Sequence, residues 1–169
     1  MPPTWQMTDR EIQRVAGYVR TLGRTATEKL PGDVARGRDL YVSTGCAQCH
    51  IVSGEGSGVG PELTDIGARR NAAYLREALL EPGKSAPDGF LMVAAKTTDG
   101  RAVRGIRLNE DPFTIQLRDS ANSFHSLRKA HLSDLKKLPG ETLMPAFGHL
   151  PARDLDDLIA YMASLRGEP

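Results

Sequence analysis

The sequence predicts a mainly α chain with a small antiparallel β insert, and three features of its 169 residues carry that prediction. Apolar residues recur at helical spacing near both ends: Ile12, Val15, Ala16, Val19 and Leu22 in one stripe, Leu155, Leu158, Ile159, Met162 and Leu165 in the other. Between them, Phe113, Ile115 and Leu117 alternate with Thr114, Gln116 and Arg118, as in a strand covered on one face, and Thr98-Asp99-Gly100 supplies a hairpin turn. The third feature is Cys46-Ala47-Gln48-Cys49-His50. It packs two thiols and an imidazole into five residues and contains both cysteines of the chain.

Composition narrows the classes. With 40% hydrophobic and 25% charged residues the chain is expected to fold as an ordinary globular protein rather than stay disordered. A net charge of +1 gives no general reason to bind nucleic acid or an acidic membrane surface, and no apolar run is long enough to span a bilayer. The opening MPPTWQMTDREIQ lacks the basic start and apolar core of a secretory leader. Aromatic residues make up only 5%, which leaves room for a large apolar cofactor to supply buried area.

In chain order, the first helical stripe is preceded by Thr8 and Glu11, spaced as a capping box. Residues 33–42 read as a second helix with Val34, Gly37, Leu40 and Tyr41 on one side. A glycine-rich turn, Gly58-Val59-Gly60-Pro61-Glu62-Leu63, follows the cysteines. Residues 90–131 change character, with strands expected at 90–97, 101–108 and 113–118 and a fourth at 124–131. The last helix has Asp154, Asp156 and Asp157 near its start and Arg166 at its end, in agreement with the helix dipole. It is expected to pack across the helix of Gly37 and Tyr41, with Tyr161 near the contact.

Three chemistries compete for the cysteine motif. One helical turn brings Cys46 and Cys49 to the same side with His50 adjoining, which suits two thioether bonds to the edge of a porphyrin and an imidazole reaching its iron. A redox dithiol of thioredoxin type wants a strand-to-helix junction, and no buried strand precedes Cys46. A zinc site wants four ligands, and His125, His131 and His149 are distant singles. The spacing favours covalent c-type haem, with the other two as rivals.

At this point the sequence resembles class I cytochrome c domains. Gly37 and Tyr41 stand where that family packs its first helix against its last, Gly58 to Leu63 is similar to its Gly-Pro-x-Leu segment, and Leu143-Met144-Pro145-Ala146-Phe147-Gly148 to its Met-Pro loop. The resemblance implies one haem c attached through Cys46 and Cys49, with His50 as proximal iron ligand. It also implies that the Pro61 carbonyl orients His50 and that Met144 is the distal ligand, a weakly basic thioether that favours reduced iron. Met92 is a weaker candidate for that place, and His125, His131 and His149 are weaker still. The inserted strands resemble those of bacterial cytochrome domains that carry an added sheet.

The N-terminus repeats the C-terminus at an offset of 143 residues. Met1-Pro2-Pro3 aligns with Met144-Pro145-Ala146, Arg10 with Arg153, Tyr18 with Tyr161 and Leu22 with Leu165. Residues 1–31 are therefore expected to be an amphipathic helix and linker: either the remnant of a preceding cytochrome c domain, with a leader lost along with the missing front, or an ordinary extension packed on the single haem domain. Residues 32–169 are expected to form the haem domain, with the β insert at about 90–131. The orphaned apolar face predicts self-association.

The expected function is that of a one-electron carrier, or an electron-transfer domain of a larger redox protein, in the periplasm or another extracytoplasmic place, and not of an enzyme. Its partners would be a redox protein donor and acceptor. A peroxidase-type haem enzyme, or a haem sensor with a labile Met144, are the alternatives. Residues 90–140 hold nine Lys or Arg against five Asp or Glu, so the insert either docks an acidic partner or simply shields the haem.

Overall fold

The computed structural model describes residues 7–21, 25–27, 29–84 and 86–167. Of the repeat, Met1, Pro2, Pro3 and Leu22 lie outside the described residues.

Two helices make the frame. The carboxylate of Asp33 accepts from the N–H groups of Ala35 and Arg36 and so caps α2 (Val34–Ser43). This helix crosses α5 (Ala152–Ser164) at Gly37, where a Cβ would lie 2.0 Å from the Asp157 carbonyl oxygen. The crossing is close because glycine has no side chain there. Tyr41 and Tyr161 then meet with ring centroids 5.5 Å apart, as the sequence predicts. The N–H of Asp33 donates to Asp157 Oδ1 at 2.7 Å, and the Arg36 guanidinium bridges Asp154 and Asp157. Helices α3 (Ile66–Arg69) and α4 (Ala72–Leu80) close the core, with Leu75 and Leu79 buried beside Leu155, Leu158, Ile159 and Met162.

The β part is larger than the sequence predicts, so the chain is a mixed α and β structure rather than a mainly α one. After the short hairpin of β1 (Ile51–Val52) and β2 (Glu55–Gly56) come β3 (Met92–Thr97), β4 (Ala102–Glu110), β5 (Thr114–Arg118), β6 (Phe124–Arg128) and β7 (Leu132–Leu138). The last five form one antiparallel sheet in the order β6-β5-β4-β3-β7. The fifth strand, beyond the expected end at 131, hides in the sequence because Leu132, Leu135 and Leu138 recur every three residues and break the period of two. The structure explains the spacing. Leu135 joins the sheet's inner cluster, Leu138 faces the helical domain, and a register shift at Lys96/Thr97 re-aims Leu132 inward.

The sheet is strongly curled. β6 and β7 are its opposite edges, yet only residues 129–131 join them, a reach of about 14 Å at most where five flat strands would set the edges about 19 Å apart. The hollow holds Val93, Ala95, Val103, Ile115, Leu117 and Leu127, a core made by the strands themselves. A second cluster, Val59, Met92 and Ile106 with Cys49 and Leu138 packed against it, joins the sheet to the helical part. Several of the basic side chains are spent on ion pairs: Arg104 meets Glu141, while Lys129, Lys137 and Arg107 converge on Glu110. They hold its carboxyl down at about 2, Lys129 and Lys137 acting most strongly.

At the other end, α1 (Asp9–Thr21) carries the expected capping box, with Glu11 accepting from the Thr8 N–H at 2.7 Å and the Thr8 hydroxyl at 2.8 Å. Its apolar stripe is exposed: Val19 is 55% exposed where its counterpart Met162 is 8%. The linker is nevertheless tied down, since Thr25 bonds Ala68 through its N–H and Arg166 Nη2 donates to the Thr25 carbonyl at 2.6 Å.

Two outcomes follow from this packing. Gly37→Ala gains about 1 kcal/mol of helix propensity but forces a side chain into backbone, at a cost of about 1–3 kcal/mol or more. Urea unfolding is expected to show a lower midpoint, and an unchanged or higher one would contradict the close crossing. For Glu110 the folded pKa lies below its ordinary 4.5, so its ion cluster stabilises fully above that value and the contribution is lost as pH falls from 4.5 through about 2. The stability gap between the native chain and Glu110→Gln, followed by urea unfolding at stepped pH, should be constant near neutrality and shrink across that window.

Candidate functional site

The cysteine motif sits where α2 ends. Thr44 closes the helix through its N–H to the Leu40 carbonyl, Gly45 turns the chain at φ +81°, and Cys46–Gln48 form a single tight 3-10 turn. Cys49 and His50 both donate N–H bonds to the Cys46 carbonyl, at 3.1 and 3.0 Å. The two thiols are free and half-buried. Burial pushes the Cys46 thiol above its ordinary value, and the contact with Thr44 only partly offsets this. An activated redox dithiol needs the opposite shift.

His50 is buried, and its Nδ1 lies 2.7 Å from the Pro61 carbonyl oxygen. A carbonyl oxygen can only accept, so Nδ1 carries the proton and Nε2 keeps its lone pair. Burial lowers the imidazole pKa, opposed by the bond to Pro61, which keeps the ring neutral and able to ligate. The loop that carries Pro61 is drawn tight against the motif. Gly60 donates to the Cys49 carbonyl at 2.6 Å, and a Cβ on Gly60 would come within 2.7 Å of His50 Cε1. From the other side the Tyr41 hydroxyl donates to the His50 carbonyl at 3.2 Å.

Cys46, Cys49, His50 and Pro61 thus form one connected unit. The loop of Met144 packs on the same clusters as the motif: Met144 and Cys46 lie against the helical core cluster, Leu143 and Cys49 against the cluster that joins the sheet. The Phe147 N–H donates to the Leu79 carbonyl at 2.8 Å and anchors that loop on α4. Met92 is fully buried on the sheet side of the joining cluster. The remaining histidines serve elsewhere: His125 bonds Asp119 at 2.7 Å, His131 belongs to the 129–131 turn, and exposed His149 lies beside Phe147.

Two contributors carry no signal in the sequence. Arg118 reaches from β5 to donate to the Gly58 carbonyl, and Asp157 receives both Asp33 and Arg36 inside the helix crossing. Each pairs residues from distant parts of the chain, and only a spacing between neighbours is legible in a single sequence.

The residues fit a covalently held haem. Two unpaired thiols stand one tight turn apart beside a neutral imidazole of fixed tautomer, and apolar clusters flank both thiols. Among the described residues no three His, Cys, Asp or Glu side chains converge as a zinc site would require, and no helix is long and apolar enough to cross a membrane. No curated protein matches the chain. The family model described as cytochrome c matches residues 34–111, a stretch that begins with α2 and contains the cysteine motif and the proline loop. Residues 34–111 thus match a cytochrome c domain, which implies covalently bound haem c, with Cys46 and Cys49 as the candidate attachment points.

Proposed function

We propose that this chain is a one-electron carrier, or the electron-transfer domain of a larger redox protein, working outside the cytoplasm, with its haem ligated by His50 and Met144. The bond from His50 Nδ1 to the Pro61 carbonyl, beside two free thiols, is the observation that carries this reading. When bound, the haem supplies a reversible one-electron change at its iron. The protein's part is to hold and shield. Cys46 and Cys49 tether, His50 presents Nε2 in one orientation, and the Pro61 carbonyl makes that nitrogen a stronger donor by accepting a hydrogen bond from the opposite Nδ1–H. Met144 offers a soft thioether from the loop anchored on Leu79, and the Val59, Met92 and Ile106 cluster keeps water from the Cys49 side.

A closed His/Met site favours a carrier over a peroxidase, which needs an open position and a distal acid/base pair. The nearest imidazole in sequence, His149, is exposed beside Phe147. The ion pairing of Arg104 and Arg107 supports shielding over docking as the insert's task. Its partners are then a donor and an acceptor protein that meet the haem edge outside the sheet. In the ferric protein, Met144→Ala is expected to abolish the weak sulfur-to-iron absorption band and lower the reduction potential. Retention of both would remove Met144 from the site.

Self-association through α1 belongs to the same reading. Ile12, Val15 and Val19 form an apolar stripe along α1, each about half exposed. Sedimentation at increasing concentration should show the native chain growing heavier and Val15→Glu staying monomeric. Identical behaviour of the two would count against it.

A further inference from the structure

The sheet touches the loop that orients His50, and one side chain makes the connection. Arg118 stands at the end of β5, paired with Ile106 on one side and Phe124 on the other. It therefore leaves the sheet on the face that Ile106 presents to Val59. Its Nη1 donates to the Gly58 carbonyl, and its guanidinium carbon lies 4.9 Å from the centroid of the Phe124 ring. Its Nε is buried and finds no hydrogen-bond partner among the described residues. An unpaired buried donor costs free energy, so the side chain is held in place by its two other contacts. Gly58 is two residues from Gly60, which is pinned to Cys49, and three from Pro61, which is bonded to His50. A short, tight path thus runs from the sheet through the proline loop to the imidazole.

We propose that Arg118 is a positioning residue for the proximal side of the haem: it anchors the Gly58–Pro61 turn to the β insert and so fixes the plane of the His50 ring, with Phe124 holding the guanidinium. This rests on the assignment of His50 as iron ligand. It also gives the insert a task beyond covering the haem, since the sheet becomes the support from which the proximal loop hangs.

The test uses the haem-loaded full chain in its ferric form and reads two NMR signatures: exchange of the His50 Nδ1 proton, and the order of the haem-methyl shifts, which follows the plane of the axial imidazole. Arg118→Met, which keeps an apolar stem without donors, is expected to speed that exchange on the order of tenfold and to reorder the methyl shifts. Arg118→Lys, which keeps the charge and a donor, should recover part of both. Phe124 is 69% exposed, so Phe124→Leu spares folding and should move both readouts in the same direction by less. Arg118→Met with native exchange and native methyl order overturns the proposal, whatever its melting temperature. If that variant does not accumulate with haem, native signatures in Phe124→Leu overturn it instead. A native chain without a low-spin, histidine-ligated spectrum would sink the ligand assignment itself, which separates that failure from this one.

Discussion

The His50 imidazole is held in one orientation because three short constraints meet on it. The Pro61 carbonyl accepts a hydrogen bond from its Nδ1–H, Gly60 leaves no room for a side chain between loop and ring, and the turn of Cys46–Gln48 fixes its backbone. Remove any one and the ring can rotate or be pushed away, and the lone pair on Nε2 loses its direction. The tautomer matters as much as the place. A proton on Nδ1 is what makes the opposite nitrogen a ligand, and burial keeps the ring from taking up a second proton.

Around that unit the chain builds two supports of different kinds. The α2/α5 crossing sets the floor: the missing side chain of Gly37 lets the helices approach, Tyr41 packs at a tilt against Tyr161, and the same Tyr41 reaches the His50 carbonyl. Helix packing and ligand geometry therefore share a residue. The curled sheet supplies the second support. Its own core lies inside the curl, and its outer face presents Met92, Ile106 and Arg118 to the helical part and the proline loop. The Glu110 cluster ties β4, β7 and the 129–131 turn together where the curl brings them close.

The legible part of this arrangement was local. Cys46, Cys49 and His50 announce themselves by spacing, and α5 by an apolar stripe of helical period that the structure buries. Helix α1 was equally legible, capping box included, because both depend only on residues a few positions apart. The sheet was legible where one face alone is buried, as in β5, and lost in β7, whose leucines serve two cores and so break the alternation that marks a strand. The charge excess of the insert is legible in the composition, whereas the pairing of Arg104 with Glu141 and of Arg107 with Glu110 is seen only in the fold. Arg118 and Asp157 were invisible for a simpler reason: their partners lie 60 and 124 residues away, and no spacing rule reaches that far.

The account stands on covalent attachment at Cys46 and Cys49 beside His50. Intact mass of the chain produced in a host that matures c-type cytochromes tests this most directly, before and after extraction with acidified acetone. It predicts the polypeptide plus one haem, unchanged by extraction, and the bare polypeptide for the double variant Cys46→Ala, Cys49→Ala. A native chain that emerges at the bare mass, or loses its colour to the solvent, would contradict it.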